Sequence, residues 1–302
     1  MKKCLLLFGA GASYGSDLYD TPPLTLNLFN ELKTFDSNVW NQIPKNLEIF
    51  FISDFETGMS LLFDKNPKLL PILQRSMASY FFKFKPKEEN LYRKLAKKII
   101  SVNWQGIIAT INYDRLLTKA FIDEGIKIKI VNSDSNNSVE LIFPHGCCNL
   151  FNDNVRGLPK NISMDGIRVK TNLIGQLPVL KNNSKDFYSE INRNAFPPIM
   201  SYIEPEKSTM SGEDFIIEQR KLFKEKVLNS NFVCIVGVKV RPQDEHIWQP
   251  LQNTSAELVY CSGKDWNEFE KWSKNFRNNK KNTIFKGFFQ DFYNEIFQFL
   301  HL

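Results

Sequence analysis

Apolar and polar residues follow two rhythms along this chain. Residues 5–8 are a short apolar run ending at Gly9, the pattern of a buried strand that enters a tight turn. After Pro22-Pro23 the spacing changes, and residues 24–32 place apolar side chains at helical intervals. Ser53 followed three residues later by Glu56 reads as a capping box, opening a helix with Phe55, Met59, Leu62 and Phe63 on its buried face. Leu91, Leu95 and Ile99 recur at fourfold spacing, and residues from about 37 to 102 read as one helical block.

Beyond that block, strand and helix alternate. Residues 107–110 predict a buried strand, 116–122 a helix, 126–131 an alternating strand and 141–143 a strand ending at Pro144-His145-Gly146. Residues from about 149 to 196, rich in Asn, Lys, Ser and Gly, lose all periodicity and predict an irregular insertion. The alternation resumes with a strand at 199–203, a helix at 215–228 and a strand at 233–236, and 257–260 is expected to be the last strand. Phe288, Phe292, Ile296 and Phe299 share one face of a closing helix. This order predicts an α/β fold: a Rossmann-like, doubly wound parallel sheet forming a single domain over residues 1–302, with one helical and one irregular insertion.

Composition adds limits. A chain of 302 residues that is 42% hydrophobic and 24% charged can bury a sizeable core and leaves little room for extended disorder. Most of the 26 phenylalanines are expected in that core. The net charge of +6 concentrates at Lys83, Lys85, Lys87, Arg93, Lys94, Lys97 and Lys98, read as the solvated face of a helix and its lead-in. Nucleic acid is therefore not an expected partner, its only support being Phe84 and Tyr92 among those basic residues. No segment approaches the roughly 20 apolar residues that cross a bilayer, so the expected location is cytoplasmic. Cys4, Cys147, Cys148, Cys234 and Cys261 are scattered and lack any Cys-x-x-Cys pair, which argues against both a disulfide framework and a structural zinc site.

Three motifs at predicted strand ends carry chemistry. Gly9-Ala10-Gly11-Ala12-Ser13-Tyr14-Gly15 stands where a dinucleotide fold keeps its phosphate loop, although its third glycine comes one residue later than the usual spacing; a plain strand-to-helix turn is the competing reading. Thr110-Ile111-Asn112-Tyr113-Asp114 follows a buried strand; Asp114 there either lines a ligand site or caps the next helix. His145 lies between a proline and a glycine, and with His301 beside the terminus the choice of a base for neutral pH narrows to His145 and His246.

Taken in order, Gly-Ala-Gly-Ala-Ser, Asn-x-Asp and His-Gly resemble the sirtuin family, most of all its bacterial branch associated with phage defence. Pro22-Pro23-Leu24, residues 199–204 and the stretch from Val236 through Gly237, Val238, Lys239 and Asp244 to Ile247 resemble further segments of that branch. Three family features are missing: the four zinc-binding cysteines after His-Gly, the Pro-Asp-Phe-Arg stretch of the protein deacylases, and the Gly-Thr-Ser loop, replaced by Gly237-Val238-Lys239. The resemblance thus implies an NAD-binding core without zinc, and NAD hydrolysis to nicotinamide and ADP-ribose rather than deacylation. It implies Asn112 and His145 as catalytic residues. Gly9, Ala10, Gly11, Ala12, Ser13, Thr110, Asp114, Gly237, Val238 and Asp244 become the NAD-binding set, with no metal. An enzyme that drains NAD must be silenced, so a homo-oligomer or a complex with a regulatory protein from a neighbouring gene is expected, as for a toxic effector of an abortive-infection system. A sensing module that binds NAD without cleaving it, and a zinc-less deacylase or ADP-ribosyltransferase, are the alternative readings.

Overall fold

The computed structural model describes residues 3–130, 138–152, 178–193, 196–203, 208–209 and 211–300. They fall into two compact units. The first comprises Met1–Pro22, Phe84–Pro144 and Ile217–Leu302, and the second Pro23–Lys83 and His145–Ile216.

The first unit is built on seven strands: β1 (Cys4–Phe8), β2 (Ile107–Thr110), β3 (Lys127–Lys129), β4 (Ser138–Ile142), β5 (Phe232–Val236), β6 (Glu257–Cys261) and β7 (Asn282–Phe285). Their order across the sheet is β7-β6-β5-β1-β2-β4-β3, and every pairing is parallel. This is the Rossmann-like α/β architecture expected from the alternation. The chain winds outward from β1 through β2 and then returns to the other side with β5, so its direction reverses between β1 and β5. In open α/β sheets ligands bind outside the carboxyl ends of the strands at that reversal. Those ends are Phe8 and Val236, which are paired in register.

Parallel strands covered on both faces need apolar side chains throughout, and all five residues of β1 are buried. Leu5 and Leu7 point into a core with Val233, Ile235, Leu258, Phe223, Trp248 and Phe269. On the opposite face the Phe8 ring meets Tyr92 edge-on at 5.0 Å and Phe289 at 5.6 Å. The five cysteines are buried thiols, and no disulfide joins them among the described residues. No helix among the described residues is long and apolar enough to cross a membrane.

The second unit holds the helices Thr25–Phe35, Ser37–Trp40, Lys45–Ser53, Phe55–Lys65 and Leu70–Phe82, the helix Ser184–Arg193, and two short antiparallel pairs. Aromatic rings fill it: Phe29 stacks on Phe51 at 5.0 Å and Phe82 on Phe187 at 3.7 Å. Buried Trp40 donates to Ser76 Oγ, which donates to Asp36. Helical structure thus begins before residue 37, and the helix Leu91–Val102 packs in the first unit instead.

Four expectations need correction. Ser53 ends a helix and its hydroxyl turns back to Phe50 O, while Asp54 caps the next helix by accepting from the amides of Glu56 and Thr57. A carboxylate at the helix N-terminus also gains from the dipole, which a serine does not. The strand at 199–203 shortens to Ser201–Ile203 and pairs antiparallel with Ser208–Thr209, outside the main sheet. The last strand is β7: Asn282–Phe285 is half-buried at a sheet edge, so it lacks the apolar run that marked the others. The closing helix Phe289–Phe299 buries Phe289, Ile296 and Phe297, because Phe288 stands at its N-cap and Phe292 departs from helical geometry. Residues 131, 153–177, 194–195, 204 and 301, which carry parts of the predicted strand at 126–131, the irregular insertion, the 199–204 segment and the terminal histidine, lie outside the described residues.

Candidate functional site

Two loops meet where the winding reverses. Gly9 donates to Val236 O and Gly11 to Gly237 O, both at 2.9 Å, while Gly237 donates to Cys261 O at 2.8 Å. Gly237 has φ +65°, and a Cβ on it would stand 2.0 Å from the Ala12 nitrogen. The glycines at 9, 11 and 237 therefore let one backbone lie directly on another, a tighter demand than the phosphate approach inferred from spacing alone. Gly15 carries no such demand, since a Cβ there meets ordinary contacts at 3.4 Å or more. Ala10 is exposed, and Ala12 is buried under the loop. Val238 puts its side chain into the sheet core and its carbonyl accepts from the Tyr260 hydroxyl at 2.6 Å.

Beside these loops, at the ends of β1 and β2, lies a buried polar cluster. Ser13 Oγ stands 3.1 Å from the Tyr92 hydroxyl and accepts from Asn112 Nδ2 at 2.9 Å. The Asn112 amide nitrogen of the main chain donates to Thr110 Oγ1, which shapes the bend after β2. Asn112 is 4% exposed, and its side-chain oxygen, fully enclosed, has no hydrogen-bond partner among the described residues. Asp114 Oδ1 accepts from the Leu116 amide at 2.9 Å, an Asx turn that leads into the helix Leu116–Asp123, whose N-cap is Arg115. It also takes a hydrogen bond from Ser13. Burial raises its carboxyl to about 6 against those two bonds and one from its own backbone amide. Burial, followed by the neighbouring Asp114 charge, pushes the Tyr92 phenol well above its ordinary value, so Tyr92 is a neutral hydroxyl.

Tyr92 was named in the sequence only beside Phe84 among the basic residues, and its place in this cluster was missed because it sits among lysines. The structure turns it fully inward and buries Phe84 too, while three of the seven basic residues of the stretch pair with acids: Arg93 with Glu124 and Glu88, Lys97 with Glu88, and Lys94 with Glu89. A further residue the sequence did not single out is Arg220, on the helix Glu213–Leu228. Burial lowers its pKa, opposed by Tyr113 and Asp244, and its Nε donates to Pro144 O at 3.2 Å. Asp244 opens the helix Glu245–Asn253, its carbonyl accepting from Ile247 and Trp248, with His246 half-buried in the first turn.

His145 belongs to the second unit, where it is 3% exposed. Its carbonyl accepts from Ser201 N at 2.9 Å, and Cys147 N donates to Ile199 O at 2.9 Å. Gly146 between them has φ +75°, and a Cβ there would fall 2.0 Å from Ile199 O. The His-Gly pair is thus fixed by a backbone contact that only glycine permits. Of the residues singled out from sequence, Ser13, Thr110, Asn112 and Asp114 form one cluster, and Gly9, Gly11, Ala12, Gly237 and Val238 form another beside it.

A doubly wound parallel sheet with glycine loops and a buried polar cluster at its reversal point defines a protein of the dinucleotide-fold class. No protein-family model matches the sequence, and no curated protein matches it. Solved structures do. A Sir2 homologue in complex with NAD matches with a TM-score of 0.51 and 12% identity, over 99% of this chain and 90% of that one. A mutant Sir2 homologue in complex with ADP-ribose gives 0.50 and 12%, over 99% and 92%. A structure on the basis of sirtuin substrate affinity gives 0.50 and 12%, over 98% and 93%. The likeness is one of fold: this chain is built like the sirtuins along nearly its whole length.

Proposed function

We propose that this chain binds NAD at the carboxyl ends of β1, β2 and β5 and hydrolyses its nicotinamide–ribose bond. The observation that carries the reading is the Asn112 side chain. Its nitrogen donates to Ser13, and its oxygen is buried with no partner among the described residues, beside the strand ends where this fold class takes ligands. Leaving such an oxygen unsatisfied costs about 1–3 kcal/mol, which a ribose hydroxyl or a bound water relieves. The NAD and ADP-ribose held by two of the structures of like fold support this choice of ligand.

In this reading Gly9, Ala10, Gly11, Ala12 and Ser13, with Thr110, Gly237 and Val238, surround the phosphate and ribose portions. Asp114 shapes the ribose pocket and Asp244 contributes a wall. Water attacks the ribose carbon, nicotinamide departs with the electron pair of the broken bond, and the water gives up a proton. Asn112 orients the water or a ribose hydroxyl. His145 accepts the proton, work worth roughly 10²–10⁴ in rate. Binding energy concentrated on the strained, charge-deficient ribose lowers the barrier without tightening substrate binding.

The same reading makes the chain a toxic effector of a bacterial anti-phage system, silent until a homo-oligomer or a complex with a sensor protein from a neighbouring gene forms. Purified chain incubated with NAD, alone and with the products of adjacent genes, is to release nicotinamide and ADP-ribose in equal amounts. Tight binding with NAD left intact makes it a sensing module instead. Acyl-ADP-ribose formed from acylated peptide and NAD makes it a deacylase.

A further inference from the structure

β4 pairs with β3 as far as Glu140 opposite Lys129, and with β2 as far as Ile142 opposite Ala109. Beyond those pairs the ends of β3 and β4 are joined by a side chain, Gln219 on the helix Glu213–Leu228. Its Oε1 accepts from the Phe143 amide at 2.8 Å, and its Nε2 donates to Ile130 O at 3.3 Å. The orientation is settled by these partners, since a main-chain N–H can meet only the amide oxygen and a main-chain carbonyl only the amide nitrogen. Gln219 thus stands in for the peptide group of one more paired residue. It is 3% exposed, and Phe143 is fully buried. Next along the helix, Arg220 Nε donates to Pro144 O at 3.2 Å. Two neighbouring side chains of one helix therefore hold two successive residues of the chain, and the residue after them is His145. Pro144 has no N–H, so the Phe143 amide is the last main-chain donor before His145.

We propose that Gln219 is a positioning residue: by holding the Phe143 amide past the end of β4, it sets where the chain leaves the sheet to carry His145. The inference rests on the proposed role of His145 as the proton acceptor. A base works only within hydrogen-bond reach of its proton, so a small displacement of the main chain two residues before it lowers the rate. A buried amide without an acceptor is also costly, which gives the Gln219 bond its hold on Phe143.

The first measurement needs no variant. In a nitrogen–proton correlation spectrum of the whole chain, the Phe143 amide is to exchange slowly with solvent. Gln219→Met keeps the length and bulk of the side chain and removes both bonds. In that variant the Phe143 amide is to exchange about tenfold faster, the scale of one lost buried hydrogen bond. The imidazole resonances of His145, identified as those missing from His145→Ala, are to shift or split, which a loss of stability alone does not produce. Nicotinamide release is to fall about tenfold in kcat with KM for NAD nearly unchanged, since alignment of the base acts after binding. A wild-type Phe143 amide that exchanges freely overturns the proposal, whether or not the variant folds. So do His145 resonances that keep their wild-type positions in Gln219→Met, and a loss of activity confined to KM. If those resonances move in Gln219→Met while the wild type leaves NAD intact, the positioning role stands and the hydrolase reading fails.

Discussion

Asn112 Nδ2 donates to Ser13 Oγ across 2.9 Å, tying the residue that follows β2 to the loop that follows β1. The two positions are 99 residues apart in the chain and adjacent only because β1 and β2 pair in parallel, with Phe8 opposite Thr110. The bond ties the loops after β1 and β2 into one buried polar cluster.

A first prediction concerns Asp114. Its carboxyl titrates near 6 in the folded chain, above its ordinary value of 3.8, because burial disfavours the charge. A carboxyl raised in this way binds its proton more tightly when folded. Stability therefore falls as pH rises from about 4 to 6, by an amount on the order of 3 kcal/mol. Asp114→Asn keeps an oxygen for the Leu116 amide and removes the buried charge. Its melting temperature relative to wild type is expected to be highest at pH 7 and to decline as pH falls to 4. A difference independent of pH would mean that burial of the charge is not what shifts the group.

The loops at the winding reversal give a sharper contrast. Gly237→Ala places a Cβ 2.0 Å from the Ala12 nitrogen at a positive φ, and is expected to destabilise the protein by more than about 3 kcal/mol. Gly15→Ala meets nothing nearer than 3.4 Å and is expected to stay within about 1 kcal/mol of wild type. Chemical denaturation of both variants measures this. Equal stabilities would show that the two loops separate without cost.

A smaller test bears on helix initiation in the second unit. Asp54→Ala is expected to cost about 1 kcal/mol, as loss of a two-amide cap does, whereas Ser53→Ala is expected to cost a few tenths at most. The reverse order in denaturation midpoints would restore Ser53 as the cap.

Much of the fold was legible because parallel strands buried on both faces must be written as apolar runs, and β1, β2, β5 and β6 all are. Where that necessity lapses, the sequence falls silent. Edge strand β7 is half-buried throughout, and Ser201–Ile203 looks like a sheet strand until its pairing is known. The site divides in the same way. Asn112 and Asp114 were visible because polar residues directly after an apolar run have few structural uses. The place of Tyr92 in the cluster was missed because it depends on a fold-made neighbour 79 residues away, and its local surroundings are the lysines of an exposed helix face. The glycines were visible as a motif, yet the reason for them is a contact between Gly11 and Gly237 that no local pattern records.

The hydrolase reading is tested most directly by nicotinamide release from NAD, measured for the wild type, Asn112→Ala, His145→Ala and His246→Ala, each with any activating partner present and with melting curves to verify folding. The expected result is steady release by the wild type, at least about a hundredfold loss in Asn112→Ala and in His145→Ala with ADP-ribose binding retained, and a smaller loss in His246→Ala. A wild type that binds NAD and leaves it whole contradicts the account, and so does a His145→Ala variant that turns over normally beside a dead His246→Ala.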